Sequence, residues 1–127
     1  MKINTAFIFI IIIIACNSDK KSKVDMAEIK FLKDTLNFVK IEKGDSLKAV
    51  FPFQNTSTVD LAIKKIGASC GCTNAYTTKE IISPGQIGSI NVSYNSGEDT
   101  GMVLKTIVVE SNTSPALKVL YITGKVE

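Results

Sequence analysis

Between Ser46 and Gln54 the chain reads SLKAVFPFQ, with Leu47, Ala49, Phe51 and Phe53 at every second position and Lys48, Pro52 and Gln54 on the opposite parity. A period of two is the spacing at which successive side chains leave opposite faces of a β-strand, whereas a helix returns to one face every three or four residues. The alternation recurs after Gln86, where Gly88, Ile90, Val92 and Tyr94 interleave with Ser89, Asn91 and Ser93. From residue 29 onward no segment carries a helical stripe. Short β-branched and aromatic runs are broken by turn residues at the regular spacing of an all-β sandwich or barrel.

The remaining strands are placed on the same grounds. Leu36 to Ile41 reads as a strand closed by the turn Glu42-Lys43-Gly44-Asp45, with Ile29 to Leu32 as an edge piece before it. Pro52 has no amide proton for a ladder, so its strand is expected at an edge or with its far end unpaired. Asn55 to Thr58 is a turn, Val59 to Ile66 a strand with Val59, Leu61 and Ile63 facing one way, and Tyr76 to Ile82 a candidate strand after it. In Ser83-Pro84-Gly85-Gln86 proline presets the first corner and glycine accepts the positive φ of the second. Residues 95–101 form a loop, and Val103 to Glu110 and Leu117 to Gly124 are apolar strands separated by Ser111 to Pro115. About seven strands in one domain, residues 29–127, give the size of an immunoglobulin-like antiparallel β-sandwich.

The N-terminus is different. Met1 to Thr5 carries one positive charge, and Ala6 to Ala15 is an unbroken apolar run. That length suits the core of a secretory signal, while a spanning helix needs about 18 or more apolar residues. Ile13-Ile14-Ala15-Cys16 resembles the lipobox of bacterial lipoproteins, in which a small residue precedes a cysteine that is acylated and becomes the new N-terminus. Residues 1–15 therefore read as a lipoprotein signal peptide and Cys16 as the lipidation site. Three acyl chains anchor a protein stably at about 0.8 kcal/mol per buried methylene. Residues 17 to 28 are polar and rich in lysine, so 16–28 is expected to be the acylated cysteine and a flexible tether. The localisation implied is the bacterial cell envelope, membrane-anchored and facing the periplasm or the cell surface.

Removing residues 1–15 leaves 112 residues, enough for one core without a metal or disulfide framework. The chain has 15 lysines and no arginine, and the mature part sets 14 lysines against 12 acidic residues, scattered rather than clustered. Without arginine, the side chain best shaped for bidentate phosphate contacts, no nucleic-acid partner is expected. There is no histidine. That removes the commonest general base, every Ser-His-Asp or Cys-His arrangement and every histidine-based metal site. No enzyme activity and no cofactor are expected.

Ser69-Cys70-Gly71-Cys72-Thr73 holds the chemistry that remains. In a regular strand two cysteines two apart have Cβ atoms too distant for a disulfide, so a bridge requires the chain to bend at Gly71. Its ring would be small, its loop-closure benefit slight and its bond labile. Four readings stand. The pair can be small buried residues pinning a turn; it can be a disulfide serving exchange, although only Lys64 and Lys65 lie near in sequence to lower a thiol pKa; it can bind Cu(I) between two thiolates with Met102 as third ligand; or it can pair with another protein's thiol. Zinc fits poorly, since two thiolates without imidazole fall short of four ligands. Glu98-Asp99 in a glycine-flanked loop is a weak calcium motif beside its reading as a solvated tip.

Phe51-Pro52-Phe53-Gln54-Asn55, Leu61-Ala62-Ile63, Ser69 to Thr73, Ser83-Pro84-Gly85, the strand ending at Tyr94, Gly101 and Val109-Glu110-Ser111-Asn112 occur in one order. In that order they resemble the bacterial domain-of-unknown-function family 1573, seen widely in lipoproteins of Bacteroidetes-type bacteria. The resemblance covers about residues 34 to 126, and the cysteine pair followed by the Pro-Gly turn is its most specific part. It implies an immunoglobulin-like sandwich related to modules of large scaffold proteins and no established catalytic activity. The chain departs from the pattern at Asn74-Ala75, where a proline is common, and at Val39, where glycine is usual. The expected role is a lipid-anchored extracytoplasmic binding or scaffolding domain whose partners are the membrane and an envelope protein. The alternative is a thiol-disulfide redox or Cu(I)-binding lipoprotein acting through Cys70 and Cys72.

Overall fold

The computed structural model describes residues 25–127; the signal segment 1–15, Cys16 and the tether up to residue 24 lie outside the described residues. These residues form nine strands and no helix: β1 (Ile29–Phe31), β2 (Thr35–Ile41), β3 (Ser46–Asn55), β4 (Leu61–Ala68), β5 (Thr73–Thr77), β6 (Ile81–Ile82), β7 (Ile87–Asn95), β8 (Gly101–Ser111) and β9 (Leu117–Val126). Two sheets, ordered β1-β3-β7-β5 and β2-β9-β8-β4-β6, pack as the expected immunoglobulin-like sandwich. Every connection up to β8 carries the chain from one sheet to the other, and only β8 and β9 make a hairpin within a sheet.

The parity seen in the sequence fixes which residues meet inside. Phe51, Phe53, Ile90 and Val92 come from the first sheet and Leu61, Ile63, Ile107, Val109, Leu120 and Ile122 from the second, all buried in one cluster. Each such side chain contributes about 1.5–3 kcal/mol by leaving water, so this layer holds the sandwich shut. Gly88 occupies an inward position because the Phe53 ring fills its place: a Cβ there would sit 2.6 Å from the ring.

The seven expected strands and the edge piece are present, and the ninth comes from a split. Tyr76 to Ile82 is not one strand but parts of β5 and β6, which lie in different sheets. The break at Thr78 to Glu80 is held by the Thr77 hydroxyl donating to the Lys79 carbonyl at 2.8 Å and by the Ile63 amide donating to the Glu80 carbonyl at 2.8 Å. The third strand starts at Leu61 rather than Val59, because side-chain amides occupy the Val59 and Asp60 carbonyls, Asn55 at 2.8 Å and Asn112 at 2.9 Å. The sandwich is not wholly antiparallel either, since β2 pairs with β9 in parallel, with a bulge between Asn37 and Lys40. Of the two places expected for Pro52 the second holds: β3 lies between β1 and β7, but β1 pairs only with Phe53 to Asn55, so β3 before Pro52 has no partner on that side. The Leu32 amide donates to the Pro52 carbonyl at 3.2 Å. Proline cannot return that bond, and β1 ends at Phe31, one residue before.

The sandwich has two distinct ends. The loops 42–45, 69–72 and 96–100 share one: the Asn95 amide donates to the Cys72 carbonyl at 2.9 Å and the Ser96 amide to the Asp45 carbonyl at 2.9 Å. The described chain begins at the other, where the Ala27 amide donates to the Asn112 carbonyl at 3.2 Å and the Thr56 amide to the Glu28 carbonyl at 3.2 Å. Ala27 is buried. The polar stretch expected to be tether therefore gives way to packed structure at Ala27, two residues before the expected domain start. β3 runs from one end to the other, a span of about 30 Å at 3.3 Å per residue.

Candidate functional site

Ser69-Cys70-Gly71-Cys72 is the corner at which the chain leaves β4 in one sheet for β5 in the other. The Thr73 amide donates to the Cys70 carbonyl at 3.3 Å, so Cys70 to Thr73 form a β-turn. The turn draws the Cys70 and Cys72 Cα atoms to 5.3 Å, and the two sulfurs are joined in a disulfide. Glycine is not what permits the bend. Gly71 lies outside the positive-φ region, and a Cβ on it would meet nothing within 4 Å.

Both ends of the corner are pinned. The Ser69 amide donates to the Thr106 carbonyl at 3.0 Å, and the Thr106 amide to the Ser69 hydroxyl at 3.1 Å. Thr73 is buried with its hydroxyl 3.8 Å from the Cys70 Sγ and 3.7 Å from the Cys72 Sγ. Disulfide sulfurs carry no proton, so the threonine is the donor in these weak contacts. Both cysteines are half-buried and Gly71 is exposed, leaving the bond at the surface.

The other residues singled out from the sequence are not gathered here. Lys64 and Lys65 are exposed at a bulge in β4, six and five residues and so about 16–20 Å of extended chain from Cys70, too far to lower a thiol pKa there. Met102 is four residues along β8 from Thr106, the partner of Ser69, about 13 Å away. The structure thus does not bring the proposed third copper ligand to the pair, and the sulfurs are already bonded to each other. Glu98 and Asp99 are divided between cations, Glu98 with Lys43 at 2.6 Å and Asp99 with Lys105 at 2.9 Å, which answers their charge without calcium. Cys16 lies outside the described residues.

A polar cluster beside the corner was not expected. Tyr94, opposite Thr73 in the ladder, is fully buried, and its hydroxyl donates to the Asp99 carboxylate at 2.7 Å. Lys105 binds the same carboxylate oxygen and lies 5.5 Å from the centre of the tyrosine ring. Burial, then the hydrogen bond to Asp99 and its charge, raises the Tyr94 phenol above its ordinary range. The Lys105 hydrogen bond, then that of Tyr94, holds the Asp99 carboxyl below its own. The clue in the sequence was a tyrosine at an inward parity, since a buried phenol needs a partner. The cluster ties the 96–100 loop to β7 and β8.

A family model described as Protein of unknown function (DUF1573) matches residues 29–126. A crystal structure of a protein of unknown function from Porphyromonas gingivalis W83 superposes with a TM-score of 0.69 at 12% identity, over 86% of this chain and 51% of that one. The human CEP192 ASH/PapD-like domain, PapD-like domain 7, gives 0.64 at 10% identity over 80% and 87%. The VesB protease of Vibrio cholerae gives 0.57 at 11% over 81% and 32%. The chain spans about half the length of the first of these and about a third of the protease. At such identities the similarity is one of fold. No curated protein sequence matches this chain.

Proposed function

The chain belongs to the family of proteins of unknown function DUF1573, and we propose that it is a lipid-anchored envelope domain that acts by binding or scaffolding rather than by catalysis. Cys16, after Ile13-Ile14-Ala15, is the acylated residue in this reading. The protein faces the periplasm or the cell surface, and its partners are the membrane and an envelope protein. It uses no cofactor and binds no nucleic acid.

The polarity of the sandwich carries the reading. The chain enters at the Ala27 end, and the cystine corner stands at the far end, about 30 Å away. A domain tethered through the residues before Ala27 thus holds its loops 42–45, 69–72 and 96–100 away from the bilayer. Intact-mass measurement of the full chain made in a bacterial host tests the anchor. The expected product starts at Cys16, carries acyl mass and fractionates with membranes, while Cys16→Ser does not. An unmodified Cys16, or a product cut elsewhere, overturns it.

A second reading, thiol-disulfide exchange, is favoured by one observation, the placement of the bond at a half-exposed corner. An external thiolate would attack one sulfur, form a mixed disulfide and release the other as a thiolate; a second external thiol would complete the reduction. Copper binding would first require this reduction.

A further inference from the structure

We propose that the free edge of β5 is a strand-addition site for an extended segment of another envelope protein, with apolar side chains at alternate positions and an acidic residue among them. The proposal rests on the reading of the domain as a binding module and adds where and what it binds.

The hydrogen-bonding phase of β5 follows from one contact. The Cys72 carbonyl accepts from the Asn95 amide, so residue 72 faces β7. By alternation Asn74 and Tyr76 bond to β7, while Ala75 and Thr77 turn their amides and carbonyls to the opposite side. Nothing among the described residues pairs with them there. Two adjacent positions of this phase offer the donors and acceptors that an added strand takes.

Exposed edges are usually guarded by charge, proline, bulges or brevity. β1 has three residues and contains Lys30; β6 has two. β2 carries a bulge and Lys40, and β4, beyond its short pairing with β6, carries a bulge with Lys64 and Lys65. β5 reads Thr-Asn-Ala-Tyr-Thr, without charge, proline or bulge. Ser46 to Phe51 of β3 and Gly101 to Lys105 of β8 also lack a partner on one side, but Lys48 and Pro52 guard the first and Lys105 lies in the second; β5 is an edge strand with no such guard, and its start is fixed by the cystine turn.

What lies beside the edge selects the occupant. Between β5 and the bulged part of β4 is a cleft of about 210 Å³ whose lining includes Lys64, Lys65, Ile66, Tyr76, Thr77 and Glu80. Side chains of an added strand that point inward meet Ile66 and Ala75, both packed against the core, so apolar groups fit. Lys64 and Lys65 form no salt bridge among the described residues; Glu110 stands opposite Lys65 in the ladder and Glu80 lines the cleft, which leaves the Lys64 charge unanswered. An acidic side chain in the added strand answers that charge.

Random eight-residue peptides displayed on phage and selected against the full chain test this, independently of whether Cys16 is acylated. Enriched peptides are expected to alternate apolar residues with Asp or Glu. A synthetic copy of one should slow amide exchange at Ala75 and Thr77. Ala75→Pro, which removes an amide facing away from β7, should weaken binding by at least about tenfold, the loss of one or more hydrogen bonds, with the fold kept. If that variant does not fold, exchange in the unaltered protein decides. The proposal is overturned if no peptide is enriched, if protection appears elsewhere, or if Ala75→Pro binds as well. It is equally overturned if Ala75 and Thr77 are protected without peptide: protection rising with protein concentration means a second copy occupies the edge, and protection independent of it means the chain's own N-terminal residues do.

Discussion

Replacing Asn55 with alanine should loosen the end of the sandwich opposite the cystine. Asn55 is fully buried. Its Nδ2 donates to the Val59 carbonyl at 2.8 Å and to the Ile82 carbonyl at 2.9 Å. Its Oδ1 accepts from the Ser57 amide at 3.0 Å and the Ser57 hydroxyl at 2.6 Å. In the alanine variant Val59 keeps the Ser57 hydroxyl as donor, at 3.1 Å, but the Ile82 carbonyl and the Ser57 amide lose these partners. Two such groups at 1–3 kcal/mol each give a loss of about 3 kcal/mol, a large part of the 5–15 kcal/mol typical of a domain. At roughly 4–8 °C per kcal/mol the melting temperature falls by about 12–24 °C. Urea unfolding followed by circular dichroism measures it, with the slope m unchanged. Asn55→Asp keeps the acceptor but sets a carboxylate against two carbonyls, and should be at least as unstable. A loss below about 1 kcal/mol in Asn55→Ala would refute the argument that these bonds join β3, the 56–60 turn and β6.

Three further outcomes are expected. The Cys70→Ser, Cys72→Ser double variant should remain folded and lose less than about 2 kcal/mol by urea unfolding, because a three-residue ring restricts the unfolded chain little; an unfolded double variant would contradict this. Gly71→Ala should leave the melting temperature nearly unchanged, since a Cβ there has open space, whereas Gly88→Ala, driven into the Phe53 ring, should cost about 1–3 kcal/mol. Acid should destabilise the protein through two carboxylates held below their ordinary range: Asp99, chiefly by Lys105, and Glu127, chiefly by Lys125 and then Lys40, down to about 2. With folded pKa values depressed, their stabilisation is complete above the unfolded carboxylate range and is lost as pH falls from about 4.5 toward 2. Asp99→Asn should flatten that profile in melting experiments at stepped pH.

Strand character and the inward set were legible in the chain because both are local. Leu47 to Phe53 and Gly88 to Tyr94 declare their buried faces by parity alone, and the positive φ expected at Gly85 is present at 77°. The family resemblance was legible in the order of its motifs. Hydrogen-bond partners were not, because they are chosen between segments far apart in the sequence. Nothing in Tyr76 to Ile82 shows that its two halves enter opposite sheets, nor in Leu36 to Ile41 that it runs parallel to β9. The Asn in Phe51-Pro52-Phe53-Gln54-Asn55 looks like a turn residue until the Ile82 carbonyl arrives beside it. The cysteine question divides the same way. Spacing said that a bond requires a bend. Only the packing of two sheets placed that bend at a crossover, closed it by the Cys70 carbonyl rather than by glycine's freedom, and set beside it a strand edge that no local pattern could reveal.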